Sequence, residues 1–267
     1  MIANFVPCGQ CVSDAYTTVR SSLQILRSTT GVIGIVSLCV LFLPPLVQLL
    51  LYRAVVAVGA AAAELFGTKS LLRLLRGTQQ ALAIAFALLG EEESQAAADT
   101  LNRMVAENGY HLNTGFLSTP FLCEVLAKYG YADTAYKLLL QDTAPSWLYE
   151  VKQGATTVWE TWTGIDANGH PSESLNHYSY GAICGWLFGG VCGIHLAGQT
   201  LTIAPTPNPA LGWAKAVYDS PVGRIESGWQ YAGDAVTYTI TVPCNLTAEV
   251  ILPDGRNLTL QPGTHTL

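Results

Sequence analysis

Three features of this sequence predict a mainly α protein with a C-terminal β domain, preceded by N-terminal transmembrane helices. Gly31 to Leu51 runs for 21 residues without a charge. At about 1.5 Å per residue, that is enough helix to cross a hydrocarbon core of roughly 30 Å. From Thr78 to Gln141 apolar residues return at helical spacing, and after about Gly198 the period changes to two.

In chain order, the first expected span is Gly31–Leu51, flanked by Arg20 and Arg27 on one side and Arg53 on the other, so charge does not fix its orientation. Pro44 and Pro45 would kink it, which also suits a re-entrant segment. Ala54 to Phe66 carries a small-residue face, Gly59-Ala-Ala-Ala-Ala63, fit for a shorter second membrane helix packed on the first. A secretory signal peptide fits poorly, because the apolar run starts late, is long and lacks a compact basic leader.

Gln80 to Leu89 is apolar and too short to span a bilayer, so it reads as a buried helix. Ser94 to Glu107 repeats Ala97, Ala98, Leu101, Met104 and Val105 as an amphipathic stripe, after an acidic turn Glu91-Glu-Glu93 that suits a helix N-terminus. Thr119-Pro120 opens a third helix, closed by Gly130, and Asp133 to Gln141 forms a fourth, which makes an αα-hairpin. Ser174 to Ile194 is a fifth candidate, interrupted by five glycines. Between Asp142 and Glu173 no helical period is found, and a loop of that length inside a domain is usually functional. Leu201–Ile203, Ala214–Tyr218, Gly223–Trp229, Ala235–Val242, Ala248–Leu252 and Leu258–Leu260 alternate between turn residues, as in a small antiparallel β-sandwich.

Charge divides the chain near Arg76. Residues 1–76 hold six Lys/Arg against two acids, Asp14 and Glu64, a net of +4; residues 77–267 hold seven against seventeen, a net of −10. The acidic part fits a domain acting on neutral substrates and excludes nucleic acid, which needs basic surface. Seven cysteines in scattered positions give no disulfide framework. Cys8-Gly-Gln-Cys11 is an isolated CxxC that reads as two ordinary thiols, and there is no Gly-rich phosphate loop, nucleophile elbow or metal-ligand cluster, so no cofactor or metal is expected.

The narrowest chemical signal lies in the functional loop. Gly154-Ala-Thr-Thr-Val-Trp-Glu-Thr-Trp-Thr-Gly164 sets one carboxylate, Glu160, between Trp159 and Trp162, and Asn176-His-Tyr-Ser-Tyr-Gly181 follows. Indole faces stack on the apolar faces of a pyranose while a positioned carboxylate activates water, so the pattern points to sugar cleavage. Residue types alone also allow a structural Glu160 and a buried, satisfied His177. Tyr178 and Tyr180 read as packing.

Several segments together resemble the bacterial α-L-rhamnosidases of glycoside hydrolase family 78: Thr78-Gln-Gln, Glu107-Asn-Gly-Tyr-His-Leu-Asn-Thr-Gly-Phe116, Leu138-Leu-Leu-Gln141, Pro145-Ser-Trp-Leu148, Gly154-Ala-Thr-Thr-Val-Trp-Glu160 and Asn176–Gly181. The resemblance covers about residues 77–267. It implies the second half of an (α/α)6 barrel over 77–197, a C-terminal β-sandwich over 198–267, and inverting hydrolysis of terminal α-L-rhamnose. It further implies Glu160 as general base, with His177, Trp159, Trp162 and Asn176 on the sugar of a rhamnose-containing glycoside. Two departures are Thr161, where the family often has Arg, and a short loop between Glu160 and His177. Inversion needs two carboxyls roughly 6.5 to 9.5 Å apart, and the family's general acid belongs to a part of the barrel with no counterpart here.

Residues 1–76 instead resemble the C-terminal membrane region of stage III sporulation protein AE, on Val6-Pro-Cys-Gly-Gln-Cys-Val-Ser-Asp-Ala15, Gly31-Val-Ile-Gly-Ile-Val36 and the run from Pro44 to Tyr52. That implies a join between two proteins near Arg76 to Thr78 and a membrane association through residues 31–66, with a cytoplasmic location otherwise. The expected function is a rhamnosidase-like fragment with little turnover of its own. The alternatives are a membrane-anchored, non-catalytic carbohydrate-binding protein, or a sporulation membrane protein with a passenger domain.

Overall fold

The computed structural model describes residues 69–85, 89–166 and 168–267, with isolated positions between 47 and 58. Most of the expected span at Gly31–Leu51 and of the Ala54–Phe66 helix lies outside the described residues, as do Cys8 and Cys11. Among the described residues no helix is long and apolar enough to cross a membrane. The chain forms two compact units, Met1–Val55 and Val56–Leu267, and every named helix and strand belongs to the second.

The helical part begins with α1, Lys69–Ala85. It starts well before the expected Gln80 and passes unbroken through Arg76–Thr78, where the charge balance changes. Local charge does not end a helix whose buried face, Ala81, Ala83 and Ile84, is continuous. The second helix, α2 (Glu91–Glu107), buries Ser94, Ala98, Leu101 and Val105, and its acidic first turn includes Glu93, whose carboxylate accepts the Gly90 amide at 3.2 Å. Next, α3 (Thr119–Lys128) opens with proline in its first turn and closes at Gly130 with φ of 89°, a left-handed value that glycine takes without a Cβ clash. A tight return leads into α4 (Ala132–Leu139), so the expected αα-hairpin is present. Its interior is Leu122, Cys123, Leu126, Ala135, Tyr136 and Leu138, all buried.

Two helical expectations change. The Asp142–Glu173 segment contains a helix, α5 (Trp147–Lys152), capped by the Ser146 hydroxyl, which accepts the Tyr149 amide at 3.1 Å. Six residues are too few to display a 3.6-residue period. The single helix expected over Ser174–Ile194 is instead an extended lead-in, α6 (Tyr178–Gly181), α7 (Ile183–Trp186), a π-turn over Leu187–Val191 and the start of a strand. The glycines cause the break: a Cβ at Gly190 would come within 2.3 Å of Trp186 Nε1, so that indole lies directly on the backbone and the coil widens around it.

The C-terminal part comprises β1 (Ile194–Ala197), β2 (Thr200–Ile203), β3 (Trp213–Ser220), β4 (Gly223–Ala232), β5 (Ala235–Val242), β6 (Ala248–Ile251), β7 (Asn257–Leu260) and β8 (Gly263–Thr266). They form two four-stranded sheets in the orders β1-β2-β6-β7 and β3-β4-β5-β8. Ile203, Val250 and Leu260 of the first sheet join Ile225, Trp229 and Ile240 of the second in one buried core. All pairings are antiparallel except β2 with β6, which is parallel with Leu201 opposite Ala248. That exception to the expected sheet is topological: β3 to β5 form between β2 and β6, which gives the chain enough length to return in the same direction.

Candidate active site

The site rests on α5, the loop that follows it, and the entry to α6. After α5 the chain turns back, with the Ala155 amide bonded to the Glu150 carbonyl at 3.0 Å, and residues 158–160 then follow as irregular chain. They pair with residues 174–177: the Glu160 amide donates to the Ser174 carbonyl and the His177 amide to the Val158 carbonyl, each at 2.9 Å. These two bonds set Glu160 against Ser174 and Val158 against His177, a juxtaposition that a loop read from sequence alone could not establish.

Glu160 is half-buried, and its Oε2 accepts the Ser174 amide at 3.1 Å, a charge-assisted bond that fixes the carboxylate. His177 caps α6, its Nδ1 accepting the Ser179 amide at 3.4 Å. In the neutral ring that leaves Nε2 as the donor. The imidazole stacks between Phe116 and Tyr178, at 4.7 Å and 5.2 Å between ring centroids. Tyr178 is 84% exposed and Asn176 is also exposed. Ser174 ties Asn176 down on both sides, its hydroxyl accepting the Asn176 amide and donating to the Asn176 carbonyl.

The two tryptophans differ, and the expectation for one of them is corrected. Trp159 is only 2% exposed. Its indole lies in the interior against Gly164, where a Cβ would come within 3.0 Å of the ring, so it supports the site from beneath and does not face a sugar. Apolar area favours burying an indole in the core when the next residue carries the charge outward. Trp162 is half-buried and stacks on Tyr180 at 3.9 Å, with its edge to Trp147 at 5.7 Å. Tyr180, read as packing, is buried here; burial first, then the charges of Glu150 and Glu160, raises its phenol pKa.

Glu150 carried no signal in the sequence beyond being an acid on an unrecognised helix. It is 2% exposed, its Oε2 accepts the Trp159 amide at 3.0 Å, and its Oε1 is buried without a hydrogen-bond partner among the described residues. Burial pushes its carboxyl up to about 7, against the smaller opposing effect of the Trp159 amide. Asp166 goes the other way. It closes a turn by accepting the Asn168 and His170 amides at 2.8 Å, and these bonds, that from His170 foremost, hold its carboxyl below the usual range. Glu173 is exposed, with φ of 60°. No group of His, Cys, Asp and Glu suited to a metal occurs among the described residues.

Paired helices that lead into a β-sandwich, with Glu160 held on the loop after α5, give the chain a rhamnosidase-like fold. Residues 59–191 match the bacterial alpha-L-rhamnosidase 6 hairpin glycosidase domain, and residues 197–266 match the bacterial alpha-L-rhamnosidase C-terminal domain. Residues 1–91 match stage III sporulation protein AE, so the two resemblances overlap over 59–91. An alpha-L-rhamnosidase of Formosa agariphila is 39% identical over 191 residues, 69% of this chain and 21% of that protein. The native rhamnosidase structure from Aspergillus terreus matches with a TM-score of 0.68 and 32% identity, covering 72% of this chain and 23% of that one. The Streptomyces avermitilis alpha-L-rhamnosidase complexed with L-rhamnose matches with a TM-score of 0.66 and 32% identity, covering 71% and 21%. The chain thus spans about a fifth of the length of the curated relatives it matches.

Proposed function

We propose that residues 77–267 are the general-base portion of an inverting α-L-rhamnosidase, a partial (α/α)6 barrel over 77–197 followed by a sandwich over 198–267. The observation that carries this reading is the pairing of residues 158–160 with 174–177, which holds Glu160 by the Ser174 amide on the same paired segment as His177. A half-buried carboxylate with one fixed oxygen leaves the other to take a proton from water as it attacks an anomeric carbon. His177 Nε2 and the exposed Asn176 supply hydrogen bonds to ring hydroxyls, and Trp162 contributes an apolar wall. The L-rhamnose bound in one matched structure supports the choice of sugar.

The leaving oxygen needs a second, protonated carboxyl within reach. Asp166 is held ionised by its turn, Glu173 sits exposed on a strained loop position, and Glu150 is sealed in the interior. None of the three meets that requirement. The chain alone is therefore expected to bind rhamnose and turn over aryl α-L-rhamnosides at no more than background rate. The test is an assay of the full chain with an aryl α-L-rhamnoside, with Glu160→Gln as control, alongside calorimetry with L-rhamnose. Turnover abolished in Glu160→Gln would show a complete site. No heat at millimolar rhamnose would remove the sugar-binding reading.

A further inference from the structure

We propose that Glu150 is a positioning residue for Glu160: through the Trp159 amide it fixes the backbone from which the general base projects, and its own proton sets that position. The proposal rests on the reading of Glu160 as general base. Three observations carry it. Trp159 immediately precedes Glu160, so the amide that Glu150 holds at 3.0 Å lies one residue from the base. Residues 158–160 are then clamped from two sides, by Glu150 from the interior and by the Ser174 backbone from across the ladder. The second oxygen of Glu150 is buried without a partner among the described residues, which a permanently ionised carboxylate would not tolerate.

Glu150 is not itself catalytic, because at 2% exposure it meets a main-chain amide and no substrate. Tyr180 of α6 feels the charges of both Glu150 and Glu160. Lys152, the other charge on α5, is turned outward to pair with Asp142. A buried carboxyl pushed up to about 7 changes form around neutral pH. In its neutral form it is a weak acceptor for Trp159; once ionised it holds that amide by a charge-assisted bond. Glu160 and the sugar next to it then respond to a proton bound on the far side of Trp159.

The test uses the full chain, Glu150→Gln and Glu150→Leu. Gln keeps an acceptor for the Trp159 amide and cannot titrate; Leu loses the acceptor. Near-UV circular dichroism of the unliganded wild type is expected to show a tryptophan transition centred near pH 7, absent in Glu150→Gln. L-rhamnose affinity, measured by calorimetry between pH 6 and pH 8, is expected to change about fivefold in the wild type, the low end of coupling between two sites. It should be flat in Glu150→Gln and weakened at every pH in Glu150→Leu. A transition or an affinity profile that persists unchanged in Glu150→Gln overturns the proposal, even if that variant melts at lower temperature. Absence of rhamnose binding at all pH values counts against the functional reading instead, and the spectroscopic comparison then decides the role of Glu150.

Discussion

A carboxyl that is 2% exposed, with one amide donor and an empty second oxygen, resists ionisation in the folded chain far more than in the unfolded one. Its folded value of about 7 lies above the ordinary 4.5, so the unfolded state releases this proton first as pH rises. The stabilisation is fully present below pH 4.5, declines between 4.5 and 7, and is gone above 7, a total of about 3 kcal/mol. Glu150→Gln removes this dependence. Urea midpoints at pH 4.5, 6 and 8 should therefore show the variant gaining on the wild type as pH rises, and a constant difference would refute the assignment. The comparison must be between the two proteins, since Asp142, Asp166 and Glu226, all held below their ordinary range, lose their contributions as pH falls. At this scale the motif made Glu160 legible as a candidate, because the Trp-Glu-Thr-Trp spacing is local. Glu150 stayed silent because its environment is assembled from α5, residue 159 and α6, which no short window of sequence contains.

Among the elements, α5 is the one on which the site most depends. Its six residues cannot sustain a helix alone, because nucleation costs more than so few bonds return. It persists because Trp147 is buried with its Nε1 donating to the Tyr180 carbonyl at 3.0 Å, and because the buried Ser146 caps it. Ser146→Ala should cost about 1 kcal/mol and leave an unsatisfied amide in the interior. Since α5 carries Glu150, the same variant should weaken rhamnose binding more than a surface change of equal stability cost, which calorimetry matched to thermal melts would check. Long elements were readable from pattern: α2 through its stripe, the α3–α4 hairpin through proline and glycine punctuation, β3 to β5 through alternation. Elements shaped by neighbours were not. The helix expected at Ser174–Ile194 splits because Trp186 lies on Gly190, and β1 begins at Ile194 because Gly193, with φ of 72°, leaves no room for a Cβ beside Ala204.

Across residues 69–267 the helical part and the sandwich share one buried core, which runs from Ala81 to Leu260. Polar bonds reinforce the seam. Trp229 of β4 donates from Nε1 to the Val191 carbonyl at 2.7 Å, and the buried Ser227 hydroxyl donates to the Cys192 carbonyl at 2.6 Å. Asn208 reaches Asp133 of α4 at 2.8 Å, and the Tyr136 hydroxyl donates to the Thr206 carbonyl. Each of these bonds would be exchanged for one to water if the sandwich separated, a net loss of about 0.5 to 1.5 kcal/mol apiece, while the apolar seam would be wetted at the same moment. Separation is thus more costly than either part can offset alone, and the two should unfold together. Far-UV circular dichroism at 222 nm, dominated by helix, and tryptophan fluorescence, which also reports Trp229, should give coincident denaturation curves. Trp229→Phe keeps most of the apolar contact but removes the bond to Val191, and should move both curves down together. A variant in which the fluorescence transition shifts while the helical one stays in place would show that the sandwich folds as an independent body and does not support the helices that hold Glu160.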